Sequence, residues 1–117
     1  MAEISLRIDL GEELRFGPGK ARLLELIRDT GSISAAGRAL GMSYRRAWLL
    51  TDELNRMFGA QIVEPQHGGA KGGGARVTEQ GVAVLDAYRR IETAAEAALE
   101  RERKLFRPNT RKKTKAG

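Results

Sequence analysis

The chain has 117 residues, 41% of them hydrophobic, which is enough apolar material for one small core and not for two. It has no cysteine and a single histidine, His67, so disulfides, thiolate catalysis, cysteine-built metal sites and His-pair metal sites are all excluded. No run approaches the roughly 18 apolar residues of a membrane span. The N-terminal stretch MAEISLRIDL has neither a basic leader nor an apolar core, so the expectation is a cytoplasmic protein. The formal net charge of +6 favours a polyanionic partner. That excess is local: residues 38–76 hold 6 basic and 3 acidic side chains, residues 107–117 hold 5 basic and none acidic, and the rest of the chain is slightly acidic.

In chain order, Ile4, Leu6, Ile8 and Leu10 alternate with polar residues, the period-2 pattern of a half-buried strand. After Gly17-Pro18-Gly19, the apolar positions Leu23, Leu24, Leu26 and Ile27 predict a first helix over Lys20 to Thr30, ended by Gly31. Ser34 reads as the N-cap of a short helix from Ala35 to Leu40, and Ser43 as the cap of a longer one to about Phe58. Two helices joined by a short turn around Gly41 and Met42 have the spacing of a helix-turn-helix, with Gly37 minimal where they pack closest. Ile62-Val63-Glu64 and Ala75-Arg76-Val77, joined by a glycine-rich loop, then read as a β hairpin, which in this position is a wing. Thr78 caps a long helix to about Leu105. The fold class is thus mainly α with a small β wing: a winged helix-turn-helix over residues 1–106 with a long C-terminal helix. Residues 107–117 read as a disordered basic arm or a solubilising terminus.

On the third helix, Ala47, Leu50, Leu54, Met57 and Phe58 point inward, and Arg45, Leu49, Asp52 and Arg56 lie opposite. Arg45 is placed for bidentate contact with guanine in a major groove and Leu49 for a thymine methyl. Ser43, Tyr44 and Arg46 at the helix start suit phosphates, with Ser34 and Arg56 at the margins of the same surface. Trp48, at the edge of the apolar stripe, reads as a packing residue. The loop HGGAKGGGAR fails both the P-loop and the dinucleotide-fold spacing, so Lys71 and Arg76 are read as a cationic wing tip for the DNA backbone or minor groove. Val84, Tyr88, Ile91, Ala95 and Ala98 form a stripe longer than a winged domain needs, suited to a second subunit or to lying on the domain itself. No nucleophile, base and orienting group can be nominated together, so neither an enzyme nor a metal or cofactor site is expected.

The run from Gly31-Ser-Ile-Ser-Ala-Ala through Ser43-Tyr-Arg-Arg-Ala-Trp48, the segment Ile62-Val-Glu64, the wing Gly-Gly-Ala-Lys-Gly-Gly-Gly74 and Val77-Thr-Glu-Gln-Gly81 resemble the N-terminal DNA-binding domain of the ModE family of molybdate-responsive regulators. More distantly, they resemble the winged helix of LysR-type regulators. The resemblance covers roughly Ile4 to Glu92. It implies a homodimeric regulator that binds double-stranded DNA at an inverted repeat, with Ser43 to Arg46 and the wing at the DNA. ModE regulators join this domain to molybdate-binding modules, for which 117 residues leave no room. The expectation is therefore that the chain does not itself sense molybdate, and that regulation comes either from expression level or from a separate ligand-sensing protein. A rival reading is a winged-helix protein-interaction module with nonspecific nucleic-acid affinity.

Overall fold

A computed structural model describes residues 2–66 and 74–108. The elements run β1 (Ile8–Asp9), β2 (Arg15–Phe16), α1 (Pro18–Thr30), α2 (Ile33–Ala39), α3 (Tyr44–Met57), β3 (Val63–Gln66), β4 (Gly74–Val77) and α4 (Glu79–Arg101), then a 3₁₀ turn at Arg103–Phe106. His67 and Lys71 of the wing loop and the tail from 109 onward lie outside the described residues.

The expected strand from Ile4 to Leu10 is cut to two residues. Gly11, Glu12 and Glu13 all take positive φ and turn the chain sharply, so only Ile8 and Asp9 find partners, opposite Phe16 and Arg15. The alternation still sorts the side chains: Leu6 and Ile8 pack on the core while Arg7 and Asp9 face solvent. Leu10 is exposed.

Pro18, whose ring presets φ and whose missing N–H would have no helical partner, starts α1 two residues before the predicted Lys20. Gly31 closes α1 at φ +70°, its N–H bonded to Ile27 O at 2.8 Å. Helix α2 is capped by Ser32, not Ser34. Ile33 is buried, which draws it into the first turn, and Ser32 Oγ accepts from Ala35 N at 3.0 Å. Ser34 sits inside the helix and accepts from Arg38 Nη1. A Cβ on Gly37 would stand 2.9 Å from Ala47 Cβ, so α2 and α3 cross where only glycine fits. Ser43 caps α3 through Arg46 N at 3.1 Å.

β3 and β4 pair antiparallel with Val63 opposite Val77 and Glu64 opposite Arg76. Val63, Ala75 and Val77 face the core. Thr78 caps α4 through Gly81 N, and a Cβ on Gly81 would come within 2.7 Å of Ile62 O, so the helix leaves the wing in close contact with it. The α-helix ends at Arg101 rather than Leu105. The last turn tightens to Leu105 N bonding Glu102 O, while Arg103 reaches Glu100 and the Ala2 carbonyl. Leu23, Leu24, Ile27, Leu54, Ile62, Leu85 and Tyr88 are the largest side chains of the core between these elements.

Candidate nucleic-acid interface

At about 100° per residue, Arg45 lies about 80° from Asn55 on one side of α3 and about 80° from Glu53 on the other. Those flanking residues are the two moorings of the helix. Asn55 Oδ1 accepts from Ile62 N at 2.7 Å and Val63 N at 2.9 Å, and its Nδ2 donates to Val63 O at 3.1 Å. It ties α3 to the first residues of the wing. Glu53 pairs with Lys20 of α1 at 3.3 Å. Between them Arg45, Leu49, Asp52 and Arg56 stand exposed, with Arg56 Nε 3.5 Å from Asp52 Oδ2. The face opposite is buried through Ala47, Thr51 and Leu54, and the Thr51 hydroxyl is satisfied by Ala47 O.

Trp48 is not a packing residue. Its side chain is 44% exposed and meets Tyr44, 58% exposed, edge to face at 6.2 Å. With Leu49 they leave an aromatic and aliphatic surface on the first turns of α3, beside the wing flank. Arg46 points the other way, into a cleft toward β1, β2 and the start of α1. On the wing, Arg76 is exposed and its guanidinium Nη2 lies 2.6 Å from Glu64 Oε1. One exposed face of α3 thus collects Arg45, Leu49 and Arg56, with Tyr44 on its wing flank, Arg46 on the opposite flank and Ser43 at the helix start. Ser34 belongs to α2, with its hydroxyl engaged by Arg38.

Of the stripe on α4, Tyr88 is turned inward. It is 1% exposed, donates its hydroxyl to Leu6 O at 2.6 Å and meets Phe16 edge to face at 5.0 Å, so it serves this domain's own core and has no surface for a partner. Burial, then the nearby Glu92 carboxylate, pushes its phenol above the usual 10.0. Arg89 is held protonated by hydrogen bonds to Glu92 and Glu25, with its Nη2 2.9 Å from Glu25 of α1. Val84 packs partly on the core and Ala95 is half-buried, while Ile91 and Ala98 are exposed. Ile8, Leu10, Phe58, Val84, Ala87 and Ile91 line a shallow apolar groove of about 170 Å³. Among the described residues no helix is long and apolar enough to cross a membrane.

Asn55 and the exposure of Trp48 escaped the sequence reading. An asparagine in a helix interior was the available signal, since its side chain competes for backbone groups and needs a reason to be there.

No protein-family model matches the chain. It is 42% identical over 85 residues to the molybdenum-pterin-binding protein MopA of Rhodobacter capsulatus, a match covering 73% of this chain and 32% of that protein. It is 35% identical over 101 residues to the molybdenum transport protein ModE of Azotobacter vinelandii, covering 86% and 37% respectively. It is 37% identical over 87 residues to the DNA-binding transcriptional dual regulator ModE of Escherichia coli, covering 74% and 33%. The chain thus spans about a third of the length of the curated relatives it matches. Among solved structures, the DNA-binding domain of CbnR in complex with DNA superposes with a TM-score of 0.59 at 24% identity, covering 76% of this chain and 97% of that one. That likeness is one of fold.

Proposed function

The chain is a ModE-like winged helix-turn-helix domain, and from that premise we propose that it is a sequence-specific transcriptional regulator that binds double-stranded DNA as a homodimer. What carries the reading is α3: its exposed face centres on Arg45 and Leu49, and its two flanks are moored to the wing and to α1. A helix held so that one face alone projects is a helix built to enter a groove, where Arg45 meets guanine O6 and N7 and Leu49 a thymine methyl. Ser43, Tyr44 and Arg46 serve the phosphates at the helix start, and Arg56, Ser34, Lys71 and Arg76 add contacts at the margins.

The groove lined by Leu10 and Ile91, continued along α4 by Val84, Ala95 and Ala98, is the surface we assign to the second protomer. Two copies joined there read two half-sites on one face of the duplex. Two of the relatives carry molybdenum in their names, and this supports a role for the regulator in molybdenum metabolism, in the cytoplasm. Selecting bound duplexes from a random pool, then competing the selected duplex against random DNA at physiological salt, tests the reading. A preference of about 10³ or more supports it. Equal binding of both leaves a protein-interaction module with nonspecific affinity.

A further inference from the structure

We propose that the β1–β2 hairpin is a second cationic arm of the DNA interface, in which Arg7 and Arg15 join Arg46 to hold backbone phosphates along the edge of α3 opposite the wing. The inference rests on the DNA-binding reading above and extends it to an element outside the helix-turn-helix and wing.

Three observations carry it. First, Arg7, Arg15, Lys20 and Arg46 line one open cleft of about 370 Å³, although they come from the residue before β1, from β2, α1 and α3. Second, that cleft lies on the Glu53 flank of α3, about 160° around the helix from Asn55 and the wing. A helix seated in a major groove about 12 Å wide has a phosphate backbone on each side. The wing serves one backbone, and the other faces this cleft. Third, the charges there are only half neutralised. Glu53 is taken up by Lys20, and a single carboxylate oxygen, Asp9 Oδ1, is shared between Arg7 Nε at 3.2 Å and Arg15 Nε at 3.7 Å. Arg46 makes no ion pair among the described residues. Four cations against two carboxylates leave the cleft positive, and the side chains of Arg7 and Arg15 are more than half exposed.

The hairpin is also placed firmly enough to present these charges. Ile8 pairs with Phe16, which is buried, and the stem of Arg7 lies across Gly17, where an added Cβ would stand 3.5 Å from Arg7 Cγ. Asp9 then acts as an internal competitor, occupying both guanidiniums until phosphates replace it.

The test is the salt dependence of duplex binding, followed by fluorescence anisotropy between about 50 and 200 mM salt for the wild type, Arg7→Gln, Arg15→Gln, the double variant and Asp9→Asn. Each phosphate contact contributes about 0.9 to the slope of log affinity against log salt, so the double variant loses about 1.8. Its salt response over that range shrinks roughly 12-fold, equally on selected and random duplexes. Asp9→Asn tightens binding to both duplexes. Because the substituted side chains are exposed, melting temperatures stay at the wild-type value. A double variant with the wild-type slope, where Arg46→Gln lowers it, overturns the inference and leaves the DNA-binding reading standing. A wild-type chain without salt-dependent duplex affinity overturns both.

Discussion

Replacing Asn55 by alanine removes the mooring between α3 and the wing, and its cost can be worked from three hydrogen bonds. Ile62 and Val63 are 0% and 3% exposed, and their N–H groups both bond Asn55 Oδ1. Truncation leaves two buried donors unsatisfied, at roughly 1–3 kcal/mol each, while the Val63 carbonyl loses its partner Nδ2 as well. A loss of about 3 kcal/mol is expected. For a domain of this size each kcal/mol moves Tm by about 4–8 °C, so Tm drops by about 12–24 °C. Asn55→Asp keeps an oxygen for both donors but sets its second oxygen, an acceptor, against the Val63 carbonyl, so at neutral pH it also destabilises, by about 1–3 kcal/mol. Urea unfolding followed by far-UV circular dichroism measures both, with unchanged m-values showing that the folded and unfolded states are otherwise alike. An alanine variant within 1 kcal/mol of wild type refutes the mooring role.

Three further outcomes follow from the same geometry. Arg45→Ala weakens the selected duplex by about 1–3 kcal/mol and random DNA little, measured by competition anisotropy; equal losses reassign Arg45 to a phosphate. Ile91→Glu places a charge in the apolar groove on α4 and yields monomers in sedimentation, with loss of cooperative binding to a two-half-site duplex; a monomeric wild type removes the seam. Tyr88→Phe removes the alkaline sensitivity of the fold. The folded phenol titrates above 10.0 and the unfolded one near 10, so the stability that neutral Tyr88 provides is intact below about pH 10 and is lost as pH rises beyond it. A phenylalanine variant with the same alkaline unfolding profile shows that another group is responsible.

The parts of the fold that were legible in the sequence are those set by local rules. Ser43 and Thr78 each sit three residues before the amide they cap, Gly37 stands where α2 and α3 leave no space for a Cβ, and the two short β-like runs flanking the glycine-rich loop pair as the wing. Where the reading went astray, a long-range contact decided. Ser32 and Ser34 are equivalent by sequence, and only the burial of Ile33 chooses between them. Trp48 lies near the apolar stripe on a helical wheel, but the structure leaves it 44% exposed beside Tyr44. Tyr88 fits the stripe of α4 equally well as seam or core, and the partner that settles it, Leu6 O, is 82 residues away in sequence. Arg7 reads as an ordinary polar position of a half-buried strand and Arg15 gives no signal of its own, since nothing local joins them to Arg46.

The isolated chain is expected not to distinguish molybdate from sulfate. Both are tetrahedral dianions, so discrimination needs several donors converging at fixed distances in a preformed cavity. At the end of α4, Arg101, Arg103, Lys104 and Arg107 line an open cleft of about 750 Å³ with Phe106 and Pro108. Arg103 is already committed, with Nε on Glu100 at 2.9 Å and Nη1 on the Ala2 carbonyl at 3.0 Å. The other three are exposed, where a cation acts as a point charge screened over about 8–10 Å at ordinary salt. Elsewhere the guanidiniums of Arg7, Arg15, Arg76 and Arg89 are held by carboxylates. Such groups attract any dianion weakly and alike. Titration calorimetry with molybdate, against sulfate at equal ionic strength, should therefore give matching weak heats. Saturable micromolar binding selective for molybdate refutes this and requires a set of converging donors that the described residues of one chain do not present.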